Sequence, residues 1–87
     1  MNAHQYIRLS RMEMREVFGR KLRWLRHQRG LSQEALAHEA GVDRAYISAL
    51  ERGVYSATID MVEKLAVVLN ADAASLLQRP VPARRKR

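Results

Sequence analysis

The side chains that could carry covalent or metal chemistry are few and badly placed. His4, His27 and His38 show no metal-ligand spacing and no carboxylate cluster beside them, and the chain has no cysteine. Ser10, Ser32, Ser48, Ser56 and Ser75 lack the context of an activated nucleophile, and no phosphate-cradling glycine loop occurs. These patterns predict no enzyme, no cofactor and no metal. What remains is cationic and hydrogen-bonding chemistry. Arg44, Tyr46 and Ser48 fall within one short run, with Gln33 ahead of it and Arg52 behind.

The charge says what such donors would meet. Sixteen Lys and Arg against nine Asp and Glu give a net charge of +7, and its distribution is uneven. Arg8 to Arg29 carries +6, Gly30 to Gln78 carries −4, and Arg79 to Arg87 carries +5. Basic charge at both ends of a small chain suits a polyanion.

A chain of 87 residues supports one domain with a modest core, too small for the walled pocket of most enzymes. No small-molecule ligand is expected. The N-terminal residues contain no apolar run of signal-peptide length, and no run approaches a membrane span. With cysteine absent as well, the expectation is a soluble protein of the cytoplasm, with no membrane partner.

Apolar spacing and punctuation predict short helices and no strands. Met14, Phe18, Leu22 and Leu25 form one stripe on a helix over Glu13 to Gln28, stopped by Gly30. Ser32 caps a second helix, whose inner face is Leu36, Ala37 and Ala40, and Gly41 ends it. Asp43 caps a third helix with Ile47 and Leu50 on its inner side, reaching about Arg52 before Gly53. Thr58 caps a fourth, carrying Ile59, Val62, Leu65, Ala66 and Leu69. Asp72 starts a short fifth that ends with Leu76 and Leu77. The domain is expected over residues 13–78, between an N-terminal extension (1–12) and a basic, disordered tail (79–87) rich in proline and charge.

Two short helices joined by a tight glycine turn make a helix-turn-helix, whose second helix enters the DNA major groove. Ala37 must be small where the two helices cross, Gly41 supplies the turn, and Ile47 anchors the second helix. The run from Gly19 to Gly53 resembles the phage repressor–Cro type of helix-turn-helix, the XRE family. The matching residues are Leu22-Arg23, Leu25-Arg26, Gly30 to Gln33, Leu36-Ala37, Gly41-Val42, Ile47-Ser48 and Leu50 to Gly53. Family members usually carry Asn-Pro where this chain has Ser56-Ala57.

The resemblance implies a compact, all-α, five-helix, lambda-repressor-like domain that binds double-stranded DNA as a homodimer. It places Arg44, Ala45, Ser48 and Ala49 against base edges, and the chemistry agrees. Arg44 can pair with guanine O6 and N7, which is worth roughly 1–3 kcal/mol of discrimination. The methyl groups of Ala45 and Ala49 suit close approach to thymine. The resemblance gives Gln33 a phosphate, with the helix dipole behind it. Tyr46, Arg52 and Arg23 are further phosphate candidates, and Arg26 and Glu51 are implied to form a structural ion pair.

One recognition helix reads too few base pairs to find a site in a genome, so two half-sites about one DNA turn apart are expected. A transcriptional regulator, repressor or autoregulator, is the simplest role. The Arg44-Ala45-Tyr46-Ile47-Ser48 run is also similar to the control proteins of restriction–modification systems, and an antitoxin is a further alternative. From another class, the domain could be a protein-interaction module that has kept the fold without DNA binding. Leu69, Leu76 and Leu77 serve either a dimer surface or the core. Trp24 lies off the apolar stripe, either contacting the extension or a second subunit, or shielding the first helix.

Overall fold

The computed structural model describes residues 2–4 and 12–79. Most of the N-terminal extension, with Tyr6, Ile7 and Leu9, lies outside the described residues, as does the basic tail beyond Arg79. Five helices lie between residues 14 and 76: α1 (Met14–Gln28), α2 (Gln33–Ala40), α3 (Arg44–Glu51), α4 (Ile59–Val68) and α5 (Ala73–Leu76). No strand occurs among the described residues. None of their helices is long and apolar enough to cross a membrane, and no group of them could hold a metal ion.

Local chemistry fixes the helix ends. The Glu13 side chain accepts from the N–H of Glu16, whose own carboxylate accepts from Glu13, a reciprocal cap that starts α1. Ser32 Oγ accepts from the Ala35 N–H at 3.0 Å, and Thr58 Oγ1 accepts from Met61 at 3.0 Å. Asp72 accepts from Ala74. Asp43 stands at the cap position of α3 but makes no side-chain cap bond. The turn between α2 and α3 needs a left-handed residue. Gly41 takes φ 71°, and the Val42 N–H then reaches back to the Ala37 carbonyl at 2.9 Å.

α3 packs against both α2 and α1, while α4 and α5 close the other side of α2 and α1. Phe18, Leu22, Leu36, Ile47, Leu50, Leu65, Leu69 and Leu76 are fully buried and form the core, with Ala37 small at the α2–α3 crossing. Leu69 and Leu76 are therefore core residues, and Leu77 packs beside them. Several phases differ from the apolar pattern. Val17 is buried beside Phe18 and Leu22, while Met14, the first residue of α1, is exposed. Ile59, the first residue of α4, is 83% exposed, although Val62 and Ala66 on the same face of the helix are buried.

The tightest approach is between α1 and the end of α3. A Cβ on Gly19 would sit 2.3 Å from the Leu50 carbonyl oxygen and 2.8 Å from that of Glu51. Only a residue without a side chain fits in that crossing. A second long-range tie joins α1 to α4: Arg29 donates from Nε to the Leu69 carbonyl at 3.0 Å. Arg79 donates to the Met12 carbonyl, bringing the two ends of the described domain together.

Candidate nucleic-acid interface

α3 has two unlike faces. Ile47 and Leu50 are fully buried, whereas Arg44 and Ala45 are exposed at its start and Ser48 is half-exposed one turn on. Arg52, just past the helix end, donates from Nε to Ser48 Oγ at 3.4 Å, so the two share one side of the helix. This puts Arg44, Ala45, Ser48 and Arg52 on the solvent side.

Ala49 is different. It is only 4% exposed, and its carbonyl accepts from the Val54 N–H at 3.0 Å. Its methyl is covered within the domain, so the expectation that it touches a base is corrected here. Tyr46 is half-buried with its ring packed on the core edge, where Gly41, Val42, Asp43 and Met61 line the same shallow surface. It lies on the side of the helix-turn-helix turn, apart from Arg52.

Beneath the solvent side lies an interlocked set of polar groups. The Glu51 carboxylate receives Arg26 Nε at 2.6 Å and Arg26 Nη2 at 3.0 Å, a two-pronged pair whose side chains are 8% and 3% exposed. Arg26 Nη1 donates to the Leu31 carbonyl at 2.8 Å, tying the same guanidinium to the α1–α2 connection. Hydrogen bonding to Glu51 raises the Arg26 pKa above the usual arginine value, outweighing burial, which acts the other way. Among the described residues no buried side-chain polar atom is left without a partner.

Gln33 joins this set. Its Nε2 donates to Glu51 Oε1 at 3.0 Å, so the half-buried amide at the first turn of α2 is oriented from behind. Gln33 is the first residue of α2, at the positive end of that helix. Arg23 is exposed on α1 and shares an open groove with Arg20, Trp24 and Arg52. The structure thus brings Gln33, Glu51 and Arg26 into one network, and Arg23 and Arg52 into one groove. Gly19 and Arg29 were not singled out by sequence. A glycine in the middle of a strongly helical segment was the available signal for Gly19, whereas Arg29 to Leu69 spans too long a separation to be read.

An all-helical domain with this two-faced α3 behind a glycine turn is a helix-turn-helix. Residues 17–78 match the model of a helix-turn-helix domain family. A transcription factor of Neisseria meningitidis, described as hypothetical, is 38% identical over 68 residues, 78% of this chain and 64% of that protein. Its crystal structure superimposes with a TM-score of 0.75, covering 78% of each chain. Control protein C.BamHI of Bacillus amyloliquefaciens is 38% identical over 65 residues, 74% of this chain and 80% of that protein. The structure of SinR, a master regulator of biofilm formation, in complex with DNA matches with a TM-score of 0.67 at 32% identity, covering 70% of this chain and 98% of that one. The chain belongs to the helix-turn-helix family of DNA-binding transcriptional regulators. It spans just under two thirds of the Neisseria relative's length.

Proposed function

We propose that the protein regulates transcription as a homodimer, with one α3 in each of two successive major grooves of a pseudo-palindromic operator. The observation that carries this reading is the division of α3. Its buried side locks it to α1 and α2, and its solvent side presents Arg44, Ala45 and Ser48 beside a Gln33 already oriented by Glu51. Arg44 reads a guanine, Ala45 permits close approach, and Ser48 adds a hydrogen bond of low specificity. Gln33, Arg52 and Arg23 hold phosphates, with Tyr46 a further phosphate donor at the turn side. The tail from Arg79 to Arg87 adds salt-dependent affinity without reading sequence. No catalytic role is assigned, and the protein works in the cytoplasm on the nucleoid.

Similarity to C.BamHI supports a narrower role as a restriction–modification controller, and no comparable observation favours an antitoxin. Two subunits are required because one α3 covers too few base pairs for genomic selectivity. With Leu69 and Leu76 used in the core, the apolar surface left for a partner includes Ile59 and Val67 on α4, 83% and 74% exposed.

The test is equilibrium binding to duplex and single-stranded DNA across a salt series. Duplex affinity that falls steeply with salt, and exceeds that for the single strand, supports the reading. Equal or absent binding to both would favour an interaction module that has kept the fold.

A further inference from the structure

The side chain at the start of α3 is not used by the fold. Ser32, Thr58 and Asp72 each accept a backbone N–H at the start of their helices, and Glu13 shares its cap with Glu16. Asp43 stands at the same position of α3, with φ −74° and ψ 146°, and makes no such bond. Its backbone carbonyl accepts from the Tyr46 N–H at 3.0 Å, so the helix begins without help from the carboxylate. Asp43 is exposed, on the open surface that Gly41, Val42, Tyr46 and Met61 also line.

Nor does a cation hold it. The ion pairs among the described residues are Arg15 with Glu13 and Arg26 with Glu51, and neither Asp43 nor Arg44 has a side-chain partner. Two consecutive side chains thus reach solvent uncommitted, at the end where recognition helices meet base edges. The guanidinium can only donate, and the ionised carboxylate can only accept. A carboxylate on a DNA-binding face is costly, because it meets phosphates of its own sign. That cost is offset only where a base supplies a donor.

Major-groove chemistry names the base. Cytosine presents an N4 amino donor and no acceptor. Adenine sets its N7 acceptor beside its amino group, guanine offers two acceptors, and thymine offers an acceptor and a methyl, so each opposes a carboxylate. Consecutive Cα atoms lie about 3.8 Å apart, close to the roughly 3.4 Å rise of one base pair, so Asp43 and Arg44 address adjoining pairs.

We propose that Asp43 is a specificity-determining residue, whose carboxylate accepts from cytosine N4 in the pair next to the guanine of Arg44 and repels duplexes that lack that cytosine. The proposal rests on the DNA-binding reading above. It adds selection by exclusion, through a charge left unpaired on wrong sites.

Selection from a random duplex pool by the wild-type protein, Asp43→Asn and Asp43→Ala tests this, followed by competition between duplexes that differ at one base pair. Arg44→Ala locates the guanine, as the position whose preference it loses. The pair beside it should carry a cytosine in wild-type sites. Both Asp43 variants should lose preference for that cytosine by about 5-fold or more, the low end for one mismatched pair. They should also bind unrelated duplexes more tightly than the wild-type protein does, since a repelling charge is gone. Asn starts a helix as well as Asp does, so Asp43→Asn should keep the wild-type thermal midpoint. Unchanged base preference at every position in Asp43→Asn overturns the proposal while leaving DNA binding standing, and so does an equal loss of affinity for all duplexes. If the wild-type protein binds no duplex at any salt, the DNA-binding reading itself fails and this one falls with it.

Discussion

Gln33 and Glu51 are joined by a 3.0 Å hydrogen bond from the first turn of α2 to the last residue of α3. The bond links the amide proposed to hold a phosphate to the buried Arg26–Glu51 pair, so the two helices of the helix-turn-helix and α1 share one polar anchor. Gln33→Ala should weaken every duplex by a similar factor, about 1.5–3 kcal/mol for a lost hydrogen bond to a charged group, without changing which sequence is preferred. Gln33→Glu should be worse, since its carboxylate would face both Glu51 and a phosphate. Fluorescence anisotropy on several duplexes reads both effects, and a changed preference after Gln33→Ala would give Gln33 a base-reading role.

The Arg26–Glu51 pair is a structural element whose loss should be measured as stability. Arg26→Met leaves a buried carboxylate without its partner and should cost about 3–5 kcal/mol in urea unfolding. Replacing both residues with apolar ones should recover much of that loss, because desolvation offsets most of what the pair contributes. The sign with pH follows from the raised Arg26 pKa. A group raised in the folded state contributes fully below its unfolded value and loses that contribution as pH climbs through the folded one. Raising the pH from neutral into the lysine range should therefore cost no stability through Arg26.

Gly19→Ala inverts a usual rule. In an exposed helix interior this change gains about 1 kcal/mol. Here the new methyl would meet the Leu50 carbonyl at 2.3 Å, and backbone cannot swing aside as a side chain does. The helices must separate, with an expected net cost of about 1–3 kcal/mol. The thermal midpoint should fall, and DNA affinity with it, since the crossing positions Glu51. A raised midpoint would show that α1 and α3 are not held in close contact there.

Arg44→Ala should lose preference for the selected site, by roughly 1–3 kcal/mol against a variant base, while weak salt-sensitive binding to any duplex survives. Competition between matched and mismatched duplexes measures it. Preference that survives intact would make Arg44 a positioning residue.

Legibility in the sequence followed the range of each interaction. Ser32, Thr58 and Asp72 cap as read because a cap needs only the next turn, and Gly41 turns because a left-handed φ is a local demand. The all-helical fold followed from the same short-range signals. Phase was harder: the spacing of Met14, Phe18 and Leu22 marks a stripe, but which neighbouring positions join the core depends on where α3 and α5 lie, and Val17 is buried instead of Met14. Ala49 was misplaced for the same reason, since small size suits a base contact and a buried position equally. The Arg26–Glu51 pair came from family resemblance, whereas Glu51's second partner, Gln33, appears only when α2 and α3 are packed.

The central claim is a dimeric reader of duplex DNA, and selection from a random duplex pool, with the mass of the bound complex, tests it most directly. The account predicts enrichment of an inverted repeat with half-sites about one DNA turn apart, bound by two chains. A folded protein that enriches no sequence at low salt, or binds its site as a single chain, would contradict it.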